Sequence, residues 1–233
     1  MALAEAFRGD GEILASGIGV LPSIAARLAR ATFAPDLLLS DGVASLVDAA
    51  GNVEGYLPYR TVFDVVWSGR RHVVMGASQI DRHGNQNIAC IGDPRKPKAQ
   101  LLGMRGAPGN TINHPTSYWI PSHSRRSFVA AVDVVTGVGY DRAAALGPRA
   151  ARFHDIRRVV TDLAVLDFAT ADRTMRLASV HPGVTLAEVI EKTGFALSFV
   201  EPVETTRLPT AAELDLLRRV IDPQGKGARE VAS

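Results

Sequence analysis

At 233 residues, with 46% hydrophobic and 21% charged side chains, the chain has the composition of an ordinary globular protein able to bury a substantial core. A net charge of +2 gives no argument for nucleic acid, no apolar run is long enough to span a bilayer, and the single Cys90 forms no internal disulfide. One cysteine and six scattered histidines lack metal-ligand spacing, so no metal is expected.

Residues 1–10 lack a basic region followed by a hydrophobic one, so no secretory leader is expected, and the cysteine usage fits the cytoplasm. Residues 2–7 read as a short helix and 12–15 as a short apolar strand. The strand runs into Ser16-Gly17-Ile18-Gly19-Val20-Leu21-Pro22, and residues 23–31 have helical composition. Strand, Gly-x-Gly turn and helix form the layout of a ligand-approach loop. It is not a dinucleotide fingerprint, because Pro22 stands at the third glycine position. Spacing alone leaves a plain tight turn equally open. Leu37-Leu38-Leu39 reads as a buried parallel strand, and Ser40, Asp41 and Gly42 follow at its carboxyl end, where ligands of parallel sheets lie. A simple Asp-Gly turn is the competing reading.

Residues 43–72 form an excursion in which 61–67 suit either a strand or a helix, and Arg70-Arg71-His72 reads as a solvated basic cluster. Val73-Val74-Met75 is a further buried strand. It delivers the stretch richest in chemistry: Gly76-Ala77-Ser78-Gln79-Ile80-Asp81-Arg82-His83-Gly84-Asn85, then Gly103-Met104-Arg105-Gly106-Ala107-Pro108-Gly109-Asn110, then a segment dense in Asn, His, Trp, Ser and Arg up to Arg126. Closely spaced glycines let a ligand approach the peptide N–H groups. Residues 87–92 and 100–102 read as strands, with a charged, proline-bearing surface loop between them. Residues 127–135 read as a buried strand and 137–148 as a loop. Strands are expected at 157–162, 164–168 and 174–180, the last two as a hairpin. Residues 182–193 read as a helix with Thr185 as N-cap, Glu188 at capping-box spacing and Gly194 as its stop. Residues 210–221 read as an amphipathic helix with Thr210 and Glu213 forming a capping box. The sum is α/β: an open, mostly parallel sheet with flanking helices and a mixed or antiparallel edge. One domain over 1–223 and a disordered tail over 224–233 are expected.

The N–H groups near Gly76 and Gly106 suit the oxygen of a thioester carbonyl. Arg105, Arg125 and Arg126 suit bidentate bonds to carboxylate or phosphate. His114 and His123 each suit general acid–base work or a structural hydrogen bond. Cys90, in an apolar run, reads as core.

Taken in order, Gly17-Ile18-Gly19-Val20-Leu21-Pro22, Gly76 to Asn85, Ile91-Gly92-Asp93, Gly103-Met104-Arg105-Gly106-Ala107, Arg125-Arg126-Ser127-Phe128, Val159-Val160-Thr161-Asp162 and Ile221-Asp222-Pro223 resemble the β subunit of class I coenzyme A transferases, most closely the glutaconate type. The resemblance spans nearly the whole chain. It implies a CoA-transferase-like α/β fold, an acyl-CoA substrate, no cofactor beyond its CoA moiety, and a homologous α subunit in a heterodimer or α2β2 assembly with the active site between subunits.

The family's nucleophile is a glutamate at the end of the strand that here is Leu37-Leu38-Leu39. Alignment on Gly42 puts Ser40 on that glutamate, with Asp41 beside it. A hydroxyl has no ready way to form the mixed anhydride that transfer needs, and Asp is a methylene shorter. Gly106 falls in the family's Gly-Gly-Ala segment, where Arg105 replaces the first glycine. A kept CoA frame without the transfer carboxylate resembles the β subunits of the actinobacterial branch that hydrolyses a carbocyclic ring of cholesterol-derived acyl-CoA. There the key carboxylate belongs to the α subunit.

The alternatives are a transferase with Asp41 as nucleophile and a non-catalytic partner subunit. Under the hydrolase reading, Ser40, Asp41, Gly106 and His123 are the catalytic candidates. Gly17, Gly19, Gly76, Gln79, Asp81 and Gly103 bind CoA, with Asp81 alternatively fixing the turn before Gly84. Arg105, Asn110 and Arg126 meet the substrate.

Overall fold

The structure is a computed structural model that describes residues 1–66 and 68–232. The chain falls into two compact units, Met1–Met75 with Arg207–Ser233 and Gly76–Thr206, where the sequence suggests one domain over 1–223. Each unit buries its own apolar set, which is why the contacts divide.

The first unit opens with helix α1 (Ala2–Glu5), strand β1 (Leu14–Gly17) and helix α2 (Val20–Thr32). Strand β2 (Leu38–Ser40), the hairpin β3 (Ser45–Val47) and β4 (Val53–Tyr56), helix α3 (Tyr59–Val66) and strand β5 (Arg71–Gly76) follow. Strands β5, β1 and β2 are parallel neighbours, with Leu14 opposite both Leu38 and Arg71. Strands β3 and β4 continue from β2 as an antiparallel edge. Helix α2 starts three residues before the predicted 23, because Gly19 serves as its N-cap and Pro22 sits in the first turn, where no intrahelical N–H is needed. Small buried residues on α2, Ala25, Ala26 and Ala29, let it lie close to the sheet beside Leu28. Its arginines tie down the hairpin: Arg30 meets Glu54 through two hydrogen bonds and also reaches the Val47 carbonyl, and Arg27 donates to Ala49 O at 2.7 Å. The ambiguous segment 61–67 is helical through Val66, and Trp67 lies outside the described residues. His72, expected as solvated, is fully buried, bonded to Asp10 at 2.7 Å and tilted against the Phe7 ring.

The second unit begins with two small hairpins, β6 (Gln79–Ile80) with β7 (Gln86–Asn87) and β8 (Cys90–Ile91) with β9 (Ala99–Gln100). Helix α4 (Ala107–Asn113), strand β10 (Pro115–Ile120) and helix α5 (Tyr140–Leu146) come next. Strands β11 (Asp155–Thr161), β12 (Ala164–Asp167) and β13 (Arg176–Val180), helix α6 (Leu186–Lys192) and strand β14 (Ser198–Thr205) complete it. The strand order is β10-β11-β12-β13-β14, parallel at β10–β11 and β13–β14 and antiparallel between. The expected α/β class therefore holds, with parallel strands, flanking helices, an antiparallel edge at β3–β4 and antiparallel pairs in the middle of the second unit's strands.

Residues 127–135 are not a strand. They form an irregular loop in which Phe128 is buried while Ala130, Ala131 and Asp133 are exposed, so the valines lack a continuous buried face. The chain then returns to the first unit as α7 (Ala211–Leu216), which runs into a π-helical turn (Leu217–Ile221) and ends in α8 (Lys226–Ala232). The Thr210–Glu213 capping box is present in both halves. At α6, Thr185 caps as expected, while the Glu188 carboxylate turns to Lys192 instead.

Residues 224–232 are thus not a disordered tail. Asp222 accepts from the Lys226 and Gly227 N–H groups at 2.8 Å, and a Cβ at Gly227 would stand 3.0 Å from Ile24, so α8 rests closely on α2. No helix among the described residues is long and apolar enough to cross a membrane. Deleting 224–233 uncovers this face of α2 and removes the Glu230 carboxylate, which accepts from the Leu21 N–H in the first turn of α2 at 3.2 Å. A stability loss of about 2 kcal/mol is expected in urea denaturation; an unchanged midpoint would refute the docking of α8.

Candidate functional site

In the first unit the site candidates gather where β1 and β2 end. A Cβ at Gly17 would lie 2.3 Å from the Pro22 carbonyl carbon, so only hydrogen fits there. Gly19 has φ of 111°, a left-handed value that favours glycine. These two positions force the tight strand-to-helix turn. Beyond β2, Ser40 Oγ accepts from Gly42 N–H at 2.9 Å. Asp41 Oδ1 accepts from the N–H groups of Val43, Ala44 and Ser45 at 2.8, 2.9 and 3.0 Å. The bonds from Ser45 and Val43 lead in holding its carboxyl down to about 2. Such a carboxylate is a turn-former and a weak nucleophile. Gly17, Ser40 and Gly42 line a cavity of about 220 Å³, together with Arg27 and Arg71. Neither arginine stands out in the sequence: Arg71 lies in a basic run that reads as solvated, and Arg27 is a single cation on an alanine-rich helix.

In the second unit, Gln79, Asp81, Asn85, Gln86 and Asn87 are all buried. Their polar atoms are taken up by the protein. Asp81 Oδ1 accepts from His83 and Asn85 N–H at 3.0 Å, and Asn85 Nδ2 bridges Asp81 Oδ2 and Asp141 Oδ1 at 3.0 and 2.9 Å. Burial raises the Asp81 pKa, and these hydrogen bonds oppose the rise. The geometry gives Asp81 the turn-fixing role. Gln79 Nε2 donates to Asp133 Oδ2 at 3.0 Å, and its Oε1 accepts from Asn87 Nδ2 at 2.7 Å and Asp133 N–H at 3.0 Å. Gly76 lends its carbonyl to Gln86.

Gly103 and Arg105 both have positive φ, 82° and 52°. A left-handed arginine is strained by roughly 1–2 kcal/mol. Arg105 is exposed and donates to Leu102 O at 3.1 Å. Gly106 is the exposed N-cap of α4, and a Cβ there would stand 3.7 Å from Asn110 Nδ2. Gly103, Arg105, Gly106 and Asn110 are therefore brought together. Arg126 is also exposed, on the loop leading to Phe128.

His123 stands apart from these. Its ring is buried, stacked on Phe128 at 3.8 Å, and both nitrogens are engaged, by Thr161 Oγ1 at 3.1 Å and Thr193 Oγ1 at 3.0 Å. Burial, with a smaller push from Lys192, lowers its pKa to about 4. The imidazole is neutral near pH 7 and has a structural setting, not that of a proton shuttle. His114 is likewise fully buried, at the end of α4.

Two units of this topology, a glycine-forced turn under β1 and α2, and a glycine–arginine turn before α4 define a CoA-transferase-like α/β scaffold. Residues 63–192 match the Coenzyme A transferase family. The chain is 52% identical, over all of its length and 94% of the relative's, to the cholesterol ring-cleaving hydrolase IpdB subunit of Rhodococcus jostii RHA1. It is 30% identical, over 92% of its length and 87% of the relative's, to a subunit of the glutaconate CoA-transferase of Acidaminococcus fermentans. The crystal structure of Rhodococcus jostii RHA1 IpdAB superposes with a TM-score of 0.93 at 52% identity, covering 100% of this chain and 96% of that one. The chain belongs to the coenzyme A transferase family.

The His123 environment sets a pH dependence. The unfolded imidazole titrates near 6.5 and the folded one near 4, so between these values the unfolded state binds more protons. The contribution is whole above pH 6.5 and is lost as pH falls toward 4, about 3 kcal/mol in all. In urea denaturation across this range His123→Gln should flatten the slope by close to one proton; an unaltered slope would remove His123 as its source.

Proposed function

We propose that this chain is the β subunit of a heteromeric hydrolase that opens a carbocyclic ring of a steroid-derived, cholesterol-type acyl-CoA. A homologous α subunit completes the active site. The observation that carries the reading is the end of β2. There the chain presents Ser40, and the neighbouring Asp41 carboxylate is held by three backbone N–H groups. A transferase needs an unencumbered carboxylate that can attack a thioester, expel the CoA thiolate and form a mixed anhydride. The relative at 52% identity is named as a ring-cleaving hydrolase subunit, and the crystal structure that superposes at the same identity is that of IpdAB.

The chemistry balances without a covalent enzyme intermediate. The oxygen of water adds to a ring ketone next to the carbon that bears the thioester. The bond between those two carbons breaks. Its electron pair passes to the carbon beside the thioester, whose carbonyl spreads the charge, and that carbon takes a proton. The ring opens to a carboxylate, and CoA stays on the product. The Gly106 N–H, on the exposed turn before α4, is suited to the thioester oxygen as its charge grows. Arg105 and Arg126, both exposed, offer positive charge to the anionic acyl-CoA. The base that activates water belongs to the partner subunit, since His123 is neutral with both nitrogens engaged and Asp81 is closed in its turn. No cofactor is needed beyond the CoA moiety of the substrate, and a cytoplasmic setting suits a CoA thioester.

The test uses the co-purified heteromer, a cyclic keto acyl-CoA, ¹⁸O-labelled water and borohydride. One labelled oxygen in the new carboxylate, CoA retained and no trapped adduct are expected. Asp41→Asn keeps the turn's acceptor and should leave turnover within about tenfold, whereas loss of a true nucleophile lowers it by roughly a thousandfold or more. An aspartyl adduct on this chain, or CoA passing to an added carboxylic acid, would establish the transferase reading instead.

A further inference from the structure

We propose that His123 is a positioning residue: through the turn that it closes with Phe128, it holds the Arg126 guanidinium where the anionic acyl-CoA meets this chain. This rests on Arg126 as a contact of the acyl-CoA in the function proposed above, and deepens it.

The turn is built in short steps. Strand β10 ends at Ile120, and the chain reverses over Ser124-Arg125-Arg126-Ser127, where the Ser127 N–H donates to Ser124 O at 3.0 Å. The Phe128 N–H donates to the same carbonyl at 2.8 Å, and Ser127 Oγ donates to Ser122 O at 2.6 Å. The two arginines therefore occupy the central positions of a four-residue turn. The residues flanking it close its base, because the His123 and Phe128 rings stack at 3.8 Å with 9° between their planes. Arg125 Nε donates to Glu191 O at 2.7 Å, so that cation ties the turn to the last turn of α6. Arg126 is exposed and has no hydrogen bond or ion pair among the described residues.

The hydrogen bonds of His123 fix its ring as well as its place. Thr193 Oγ1 gives its own hydrogen to Val189 O at 2.7 Å, so it accepts from His123 Nε2–H at 3.0 Å. Thr161 Oγ1 already accepts from the Leu163 and Ala164 N–H groups at 3.0 Å. Its hydrogen is then the one left for His123 Nδ1 at 3.1 Å, closer than the Ala164 carbonyl at 3.3 Å. This count assigns a neutral ring with its proton on Nε2. Turning the ring over would set a lone pair against a lone pair at Thr193. Beside the ring, the His123 N–H donates to Asp162 Oδ1 at 2.7 Å. One side chain thus joins the turn to Thr161, the last residue of β11, and to Thr193, the C-cap of α6. An exposed arginine on a mobile loop gives up freedom on binding, and a turn fixed beforehand avoids that loss. Enclosed by two threonines and Phe128, the imidazole itself touches no substrate.

The test is isothermal titration calorimetry of the co-purified heteromer with acetyl-CoA, run as a double-mutant cycle. Arg126→Met should weaken acetyl-CoA roughly tenfold, as loss of a charged hydrogen bond does. His123→Phe keeps a ring on Phe128 but drops both bonds to threonine, and should weaken it about fivefold or more. With Arg126 already replaced, His123→Phe should add no further loss, because both act on one contact. Single effects that simply multiply, or an Arg126→Met heteromer of unchanged affinity, would overturn the assignment. Val165→Ala opens a cavity in the core of the same unit and should leave acetyl-CoA affinity unaltered. An equal loss there would reduce His123 to general stability and also overturn the assignment. Should His123→Phe fail to assemble, Thr193→Val removes the acceptor for Nε2–H and completes the same cycle. With a cyclic keto acyl-CoA, both single variants should raise KM by more than they lower kcat, because Arg126 binds and does not react. The binding arms need no turnover. Coupling without ring opening would refute the hydrolase reading and leave the positioning role standing; ring opening without coupling would overturn the positioning role alone.

Discussion

The second unit depends on a buried set of amide and carboxylate side chains. A loop with no ladder of its own must find partners for its backbone groups elsewhere, because a buried unpaired N–H or carbonyl is destabilising. Residues 127–139 find them partly in distant main chain, with the Val129 N–H on Ile80 O and the Thr136 and Gly137 N–H groups on Gln86 O, and partly in side chains. Asp133 locks onto Gln79 and the Gly92 N–H, Thr136 onto Gln86, and the Gly139 N–H onto Asn85 Oδ1. Each amide makes bonds in more than one direction, so removing one leaves several groups unpaired. This is why so many polar residues crowd a short glycine-rich stretch. They hold the frame on which Arg126 and the turn before α4 are displayed, with their polar atoms bonded within the protein.

The first unit solves a different problem. Its parallel strands must end close to a helix, and Gly17 with Gly19 permits the approach. The same closeness brings the polar ends of the strands under α2, where arginines meet hydroxyls and carbonyls. Here the strand ends in a hydroxyl that folds back onto the Gly42 N–H.

What was legible in the sequence follows the range of the forces. The caps at Thr185 and Thr210 act over three residues and could be read directly. So could β1, β2 and the hairpin β12–β13, whose apolar runs are continuous or joined by a short turn. Strand β10 could not, because Pro115, Thr116 and Ser117 are buried by tertiary neighbours and show no apolar pattern. Helix α4 contains Pro108 and Gly109 in its first turn and reads as loop. The false strand at 127–135 has the composition of a strand, but its register against the protein is set by Gln79 and Gln86, about fifty residues earlier. Arg71 was hidden for the same reason: its partner Ser16 is 55 residues away.

The distribution of charge then constrains the mechanism. A base that activates water must be accessible, with a pKa near the working pH. The candidates on this chain each miss one condition. Asp41 is accessible, but its three N–H donors make it far too weak a base. Asp81 is shifted upward by burial, yet both its oxygens are held by Asn85 and its turn. His123 is neutral and therefore basic in principle, but stacking on Phe128 and bonds to two threonines enclose it. The site candidates that the second unit exposes include the Arg105 and Arg126 guanidiniums and Gly106. Under the proposed function these groups suit the binding of the thioester and the stabilisation of negative charge as it develops, and the proton transfers would fall to the partner subunit.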